Sequence, residues 1–287
     1  MKILNRDRIS KKLEFLLDYG IIAIDKPTNL TSHQVSEVVG KMLNVDKAGH
    51  SGTLDPKVTG VLPVALNKAT RIMEFLLRSD KTYVCLMHIH KEVAVDEVKK
   101  VLKQFVGKIE QLPPIKSAVK RALRTREIYS INLLDYSEKD YLIEVNCQAG
   151  TYIRKLVHDI GEKLDVGAHM QELRRIKSSM FTEKDIVTLQ QLEDAIVSAN
   201  NGDETELLMM LYPMKHCFKD WEKIKLEKKD LKKFMNGMLL PYPNEFEDEV
   251  AIFYKTKMVG VGRNVNNKYI RPFRVYFDKK SMEKYLL

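Results

Sequence analysis

Residues Ala48 to Val64, AGHSGTLDPKVTGVLPV, constrain the fold more than any other stretch. Three glycines, two prolines and a single aspartate stand between a helical pattern and a strand-like one. Gly49, Gly52 and Gly60 permit positive φ or a close backbone approach. Pro56 has no amide hydrogen and biases Asp55 toward extended geometry. An Asp-Pro pair can be no more than a corner. This segment is longer and more ordered than a corner requires, and it would hold a carboxylate rigidly at the edge of a cleft. A carboxylate can act as a nucleophile at a sugar carbon.

The flanking pattern predicts an α+β fold. Gly20 to Pro27 reads as a buried strand, and Ser32 to Leu43 as a helix with Thr31 or Ser32 as N-cap. Val61 to Leu66 is strand-like, and Ala69 to Leu77 is an amphipathic helix. Thr82 to His90 predicts a strand and Val95 to Phe105 a helix. Glu127 to Leu134 and Tyr141 to Cys147 predict a hairpin. Tyr152 to Leu164 predicts a helix, His169 to Ile176 a strand, and Leu189 to Ser198 a helix. After Pro213 the pattern shifts to a short helix, Lys229 to Met235, and small strands. Strands and helices mix without strict βαβ alternation, which favours α+β over a doubly wound sheet. The expected division is residues 1–212, with a core of about 20–195, and a small β-rich unit at 213–287.

The chain has 287 residues, 48 Lys+Arg against 39 Asp+Glu, and a net charge of +9. With 44% hydrophobic residues it can bury a sizeable core, which excludes wholesale disorder. No apolar run approaches the ~20 residues of a membrane span, and no signal-peptide pattern follows the basic N-terminus. Cys85, Cys147 and Cys217 lie far apart and give neither a disulfide framework nor a cysteine zinc site. His88 and His90 share one face of a strand-like run and could form half a metal site. No obvious third ligand lies near in sequence, so no metal is expected. No Gly-x-Gly-x-x-Gly and no Gly-x-x-x-x-Gly-Lys-[Ser/Thr] occurs, so nucleotide-cofactor readings lose their main support.

The location of the charge says more than its sum. Leu112 to Arg126 holds five cations, Lys116, Lys120, Arg121, Arg124 and Arg126, and no acid. Glu222 to Lys233 holds six lysines against three acids. The first stretch is too one-sided for an ordinary solvated face, and phosphate contact is the economical explanation.

These residues resemble a known family. GHSGTLDPKVTGVLPV resembles the catalytic motif of the TruB family of pseudouridine synthases. IDKPTNLTSHQV (Ile24 to Val35), KTYVCLMHIH (Lys81 to His90), PPIKSAVKRALRTREIY (Pro113 to Tyr129) and AGTYIRKLVHDIGEKLDVGAHMQELRR (Ala149 to Arg175) match further motifs in order. The resemblance covers roughly residues 20 to 195. It is closer to the archaeal and eukaryotic dyskerin-like branch, because CLMHIH runs almost directly into the helix pattern without a long insertion. Ser178-Ser179-Met180-Phe181 departs from the family, which usually has a glycine before the Phe.

The resemblance implies a mixed or antiparallel sheet, a PUA-like β-barrel at the C-terminus, and isomerisation of uridine to pseudouridine in rRNA or tRNA. It implies no cofactor and no metal. Asp55 would be the essential carboxylate, attacking C1′ or first abstracting the 2′ proton. Arg154 would pair with it, and an arginine stays charged and holds a carboxylate bidentately. Tyr83 would stack on the target base and take part in proton transfer, and Leu173 would close the pocket beneath it. His50 would stack against the flipped nucleotide or serve the turn. Lys26 would support the aspartate loop. Lys116, Lys120, Arg121, Arg124 and Arg126 would contact RNA backbone. The implied partners are a box H/ACA guide RNA and small core proteins. A stand-alone tRNA pseudouridine-55 synthase shares all the chemistry, and a non-catalytic RNA-binding scaffold is the remaining alternative. Without lysine-rich tails, an archaeal cytoplasm is expected rather than a eukaryotic nucleolus.

Overall fold

A computed structural model describes residues 1–112, 122–242, 246 and 248–285. The first half runs α1 (Lys11–Tyr19), β1 (Gly20–Lys26), α2 (Ser32–Met42), β2 (Ala48–His50), β3 (Thr59–Leu66), α3 (Met73–Arg78), β4 (Lys81–Ile89), α4 (Val95–Gln104), β5 (Gly107–Gln111), β6 (Arg124–Ser137) and β7 (Asp140–Cys147). Then follow α5 (Ile153–Lys163), β8 (Ala168–Ser178), β9 (Phe181–Thr182), α6 (Leu189–Asn200), α7 (Thr205–Met210) and β10 (Leu211–Pro213). The C-terminal elements are β11 (Lys223–Lys225), α8 (Lys228–Met235), β12 (Leu240–Pro241), β13 (Glu249–Tyr254), β14 (Lys257–Val265), β15 (Tyr269–Val275) and α9 (Lys279–Tyr285).

The first ten strands form one mixed sheet, in the order β10-β1-β3-β8-β4-β7-β6-β5, with β2 on β3 and β9 on β8. Among the described residues, β3 and β8 are its one pair of parallel strands, at Thr59↔Arg174 and Gly60↔Arg175. The last five strands form a second sheet, in the order β11-β13-β14-β15-β12. The α+β expectation is met.

Helix starts follow local capping chemistry. Thr31, rather than Ser32, caps α2 and forms a capping box with Gln34. Thr188 and Gln191 repeat the device on α6. The amphipathic stretch 69–77 becomes a 3₁₀ turn over Asn67–Ile72 followed by α3. Arg124 and Arg126 lie on the long strand β6.

Burial explains the strand patterns. On β7, Tyr141, Ile143, Val145 and Cys147 alternate inward and pack with α4 and α5. On β1, Ile22 and Ile24 face α1, α2 and α6. Ile21 and Ala23 face a core shared with Phe234, Val250 and Val259 of the C-terminal unit. That is why β1 is apolar on both faces. Each such fully buried side chain contributes roughly 1.5–3 kcal/mol. The two units are also stitched by aromatic and polar contacts. Tyr19 stacks on Phe277 with ring centroids 4.5 Å apart. Arg71 donates to the carbonyls of Val275 and Tyr276, each at 3.2 Å.

Candidate active site

The loop carrying Asp55 is pinned from one side by β1 and α2. The Lys26 side chain is fully buried, and its Nζ donates to the carbonyls of Pro27 at 2.8 Å, Pro56 at 3.0 Å and Val58 at 2.8 Å. Burial, then the charge of Arg175, holds its pKa below the usual lysine value. The Leu54 amide donates to Ser32 Oγ at 2.8 Å, and the Asn29 amide to the Pro56 carbonyl at 2.9 Å. The loop closes on itself through the Val58 amide and the Asp55 carbonyl at 2.9 Å. At its far end Gly60 has φ +102°, and an added Cβ would stand 2.2 Å from the Arg175 carbonyl oxygen. Only glycine fits that crossing of β3 and β8.

Arg154 forms an ion pair with Asp55 through its Nη2 and the Oδ2 of the carboxylate. It stands on the first turn of α5, whose start is fixed from outside the helix. Buried Gln111, at the end of β5, donates to the Tyr152 carbonyl at 3.1 Å and accepts from the Tyr152 amide at 2.9 Å. Gly150, at φ +81°, allows the turn before it to lie against the Arg126 guanidinium; an added Cβ would be 3.2 Å from Arg126 Nε. Both members of the ion pair remain half-exposed, so the carboxylate is accessible.

Tyr83 and Leu173 come from β4 and β8, the two central strands of the sheet. Tyr83 is directly opposite Arg175, and Cys85 opposite Leu173, across β4 and β8. Tyr83 and Leu173 are both half-buried and pack on the α4–α5 core. Burial raises the Tyr83 hydroxyl above its usual pKa, and the Arg175 charge opposes the shift. The phenol is therefore neutral at neutral pH. His50, at the end of β2, has its pKa lowered by burial first, then by His33 and Arg175. Its Nδ1 is buried without a protein partner.

The structure thus brings Asp55 and Arg154 into contact, sets Lys26 beneath their loop, and places Tyr83 and Leu173 on adjoining strands. Arg126 stands behind the turn that leads to Arg154, and Arg124 is paired with Gln111 across β5 and β6. Lys116, Lys120 and Arg121 lie outside the described residues. Sequence reasoning missed the functions of Ser32, Gln111 and Arg175, which act through contacts between distant segments. Arg175 stood in a recognised motif, but nothing local distinguishes it from Arg174.

The histidine reading needs one correction. A third imidazole is near: His169 on β8 stands opposite His88, and its Nδ1 is 3.1 Å from His90 Nε2. His88 Nδ1 is in turn 2.7 Å from Asp140 Oδ1. Antiparallel pairing of β4 and β8 brings together residues some eighty positions apart. Among the described residues, no group of three or more His, Cys, Asp or Glu is arranged to hold a metal ion. No helix among them is long and apolar enough to cross a membrane.

The chain is similar to known proteins over most of its length. The N-terminal domain model of the TruB family pseudouridylate synthases matches residues 40–153. The C-terminal domain model of tRNA pseudouridylate synthase B matches residues 154–219. A protein named probable tRNA pseudouridine synthase B, from Methanocaldococcus jannaschii, is 53% identical over 215 residues. That match covers 75% of this chain and 64% of the relative, just under two thirds of its length. A protein of the same name from Sulfurisphaera tokodaii is 42% identical over 261 residues, covering 88% of this chain and 77% of the relative. Among solved structures, a chain of a Cbf5-Nop10-Gar1 complex superposes with a TM-score of 0.85 at 37% identity, over 98% of this chain and 93% of that one. A chain of an H/ACA RNP bound to a substrate RNA gives 0.84 at 34% identity, over 96% and 94%. The chain belongs to the TruB family of pseudouridylate synthases.

Proposed function

We propose that this protein isomerises uridine to pseudouridine in RNA. The observation that carries the reading is the accessible Asp55 carboxylate, paired with Arg154 on a loop that Lys26 and Ser32 hold rigid. In the reaction the N1–C1′ bond breaks, the base turns, and C5 bonds to C1′. The proton lost from C5 is matched by one gained at the freed nitrogen. Asp55 acts in its ionised form, either on C1′ or on the 2′ proton. Arg154 keeps it charged and oriented. Tyr83 stacks on the base and presents a neutral hydroxyl for proton transfer, and Leu173 closes the pocket. The target must leave its helix at a cost of a few kcal/mol, which stacking and backbone contacts offset. His50 faces the same flipped nucleotide.

The basic strip is read as the backbone contact. Arg124 and Arg126 on β6 extend it toward the Arg154 turn, and Lys116, Lys120 and Arg121 are assigned from sequence. Reversing the charge of Lys120 and Arg121 should weaken RNA binding and flatten its salt dependence. Residues 213–287 are assigned as a PUA-like RNA-binding domain on the five-stranded sheet.

The preferred setting is a box H/ACA particle with a guide RNA and small core proteins, in an archaeal cytoplasm. This is supported by the likeness to chains in a Cbf5-Nop10-Gar1 complex and an H/ACA RNP. The curated relatives carry the name tRNA pseudouridine synthase B, which favours the second reading, direct action on tRNA. The test is tritium release from RNA carrying 5-tritiated uridine. The protein alone is given a tRNA transcript, and a reconstituted guide particle is given its target. Release in the particle alone supports guide dependence, and release by the protein alone supports direct tRNA action. Release in neither overturns the isomerase assignment.

A further inference from the structure

Among the described residues, Arg175 is the largest fully buried side chain, at 1% exposure. Its neighbour Arg174 takes two carboxylates, Asp25 at 2.9 and 3.1 Å and Glu183 at 2.6 Å. Among the described residues Arg175 takes none. Its Nε donates to the Val61 carbonyl at 2.8 Å, and its Nη2 reaches the Gly52 carbonyl at 3.4 Å. Tyr83 is its cross-strand neighbour, directly opposite on β4, and the phenol lies near enough to act on the guanidinium.

An unpaired buried cation is costly, and an apolar side chain of similar volume often packs better. A staple between β3 and β8 needs no charge. What the charge can do is act on groups around it. Two of its contacts are on β3 and the loop that leads to Asp55. Beside Arg175, across the strand pair, is the Tyr83 side chain.

We propose that Arg175 is a positioning residue that fixes the Tyr83 hydroxyl relative to Asp55 and sets its hydrogen-bond polarity. A guanidinium can only donate. The Tyr83 oxygen therefore accepts from Arg175, and its own O–H is left to donate into the pocket. Negative charge that develops on that oxygen during proton transfer meets a buried cation. The same guanidinium ties Tyr83 to Gly52, three residues before Asp55, so the base-stacking wall and the nucleophile loop move as one piece.

The inference rests on the isomerase reading and is tested by a double-mutant cycle in whichever assay format the wild-type chain turns over. The variants are Arg175→Met, Arg175→Lys and Tyr83→Phe, with each Arg175 change also combined with Tyr83→Phe. Single-turnover tritium release, RNA binding and thermal melting are measured for each. Arg175→Met should slow release by about 100-fold, the scale of a positioned proton-transfer group. In the Tyr83→Phe background the same change should cost less than about threefold. Arg175→Lys, which keeps the charge, should recover at least about tenfold of the methionine loss. Equal factors in both backgrounds would mean that Arg175 acts only as a structural staple, and the proposal is overturned. If Arg175→Met does not fold, the lysine variant alone completes the cycle, and additivity there overturns it equally. A wild-type chain that releases no tritium, or an active Asp55→Asn variant, sinks the isomerase reading instead.

Discussion

Arg154 and Asp55 form an ion pair in which each side chain keeps about half its surface in solvent, 54% and 51%. A pair this exposed contributes at most about 1 kcal/mol to stability. Its geometry therefore serves the carboxylate more than the fold. Arg154→Ala should lower isomerisation by at least about 100-fold and move the melting temperature by less than about 4 °C. Melting curves beside tritium-release rates check this. Activity lost only in proportion to stability would contradict it.

Lys26 presents the opposite case. Its ammonium is buried and satisfies three carbonyls, two of them just after Asp55 in the loop. Lys26→Met leaves those acceptors unpaired, at about 1–3 kcal/mol each where water cannot replace the amine. Urea unfolding should show a loss of about 3 kcal/mol or more. An unchanged unfolding midpoint would remove Lys26 from the support of the loop.

Lys81 makes a pH dependence. It is buried at the start of β4, donates to the carbonyls of Leu76 at 2.9 Å and Leu77 at 3.1 Å, and has its pKa lowered by burial to about 8. Between about 8 and 10.5 the unfolded chain binds more protons than the folded one, so stability from this group rises with pH across that interval. Relative to Lys81→Met, the wild-type protein should gain up to about 3 kcal/mol between those limits. Chemical unfolding of both proteins at pH 7.5 and 10, chosen to bracket roughly that interval, reads the difference. A falling or flat difference is the contrary result.

Ser179 occupies the β8–β9 turn with φ +58°, in the Ser178–Phe181 stretch. The turn forms, with the Ser179 amide donating to the Asp80 carbonyl at 3.2 Å. A side chain in the left-handed region costs roughly 1–2 kcal/mol, part of which glycine returns as unfolded-state entropy. Ser179→Gly should therefore stabilise by about 0.5–1 kcal/mol, visible as a raised urea midpoint. Destabilisation would mean that the serine side chain makes a contact that matters.

Local chemistry made much of this legible. Caps, turn residues and the alternation of β7 depend on neighbours in sequence, and so do the proline and glycine positions of the Asp55 loop. Lys26 and Arg154 were legible through their motifs. Arg175, Gln111 and Ser32 were not, because their partners come from register between distant segments. The pairing of Tyr83 with Arg175 follows a bulge beside Thr82, and no spacing rule encodes that shift. The N-terminal residues read only as basic, yet Ser10 caps α1 and Leu13, Leu16 and Leu17 bury one face. The third histidine was hidden for the same reason as Arg175.

Asp55→Asn tests the central claim most directly. The substitution keeps the size of the side chain and removes its charge, while the supports from Lys26 and Ser32 reach backbone and remain. With RNA carrying 5-tritiated uridine, the variant should bind within about threefold of wild type and release no tritium above background, since the carboxylate proposed to carry the reaction is gone. Release at a substantial fraction of the wild-type rate would contradict the account.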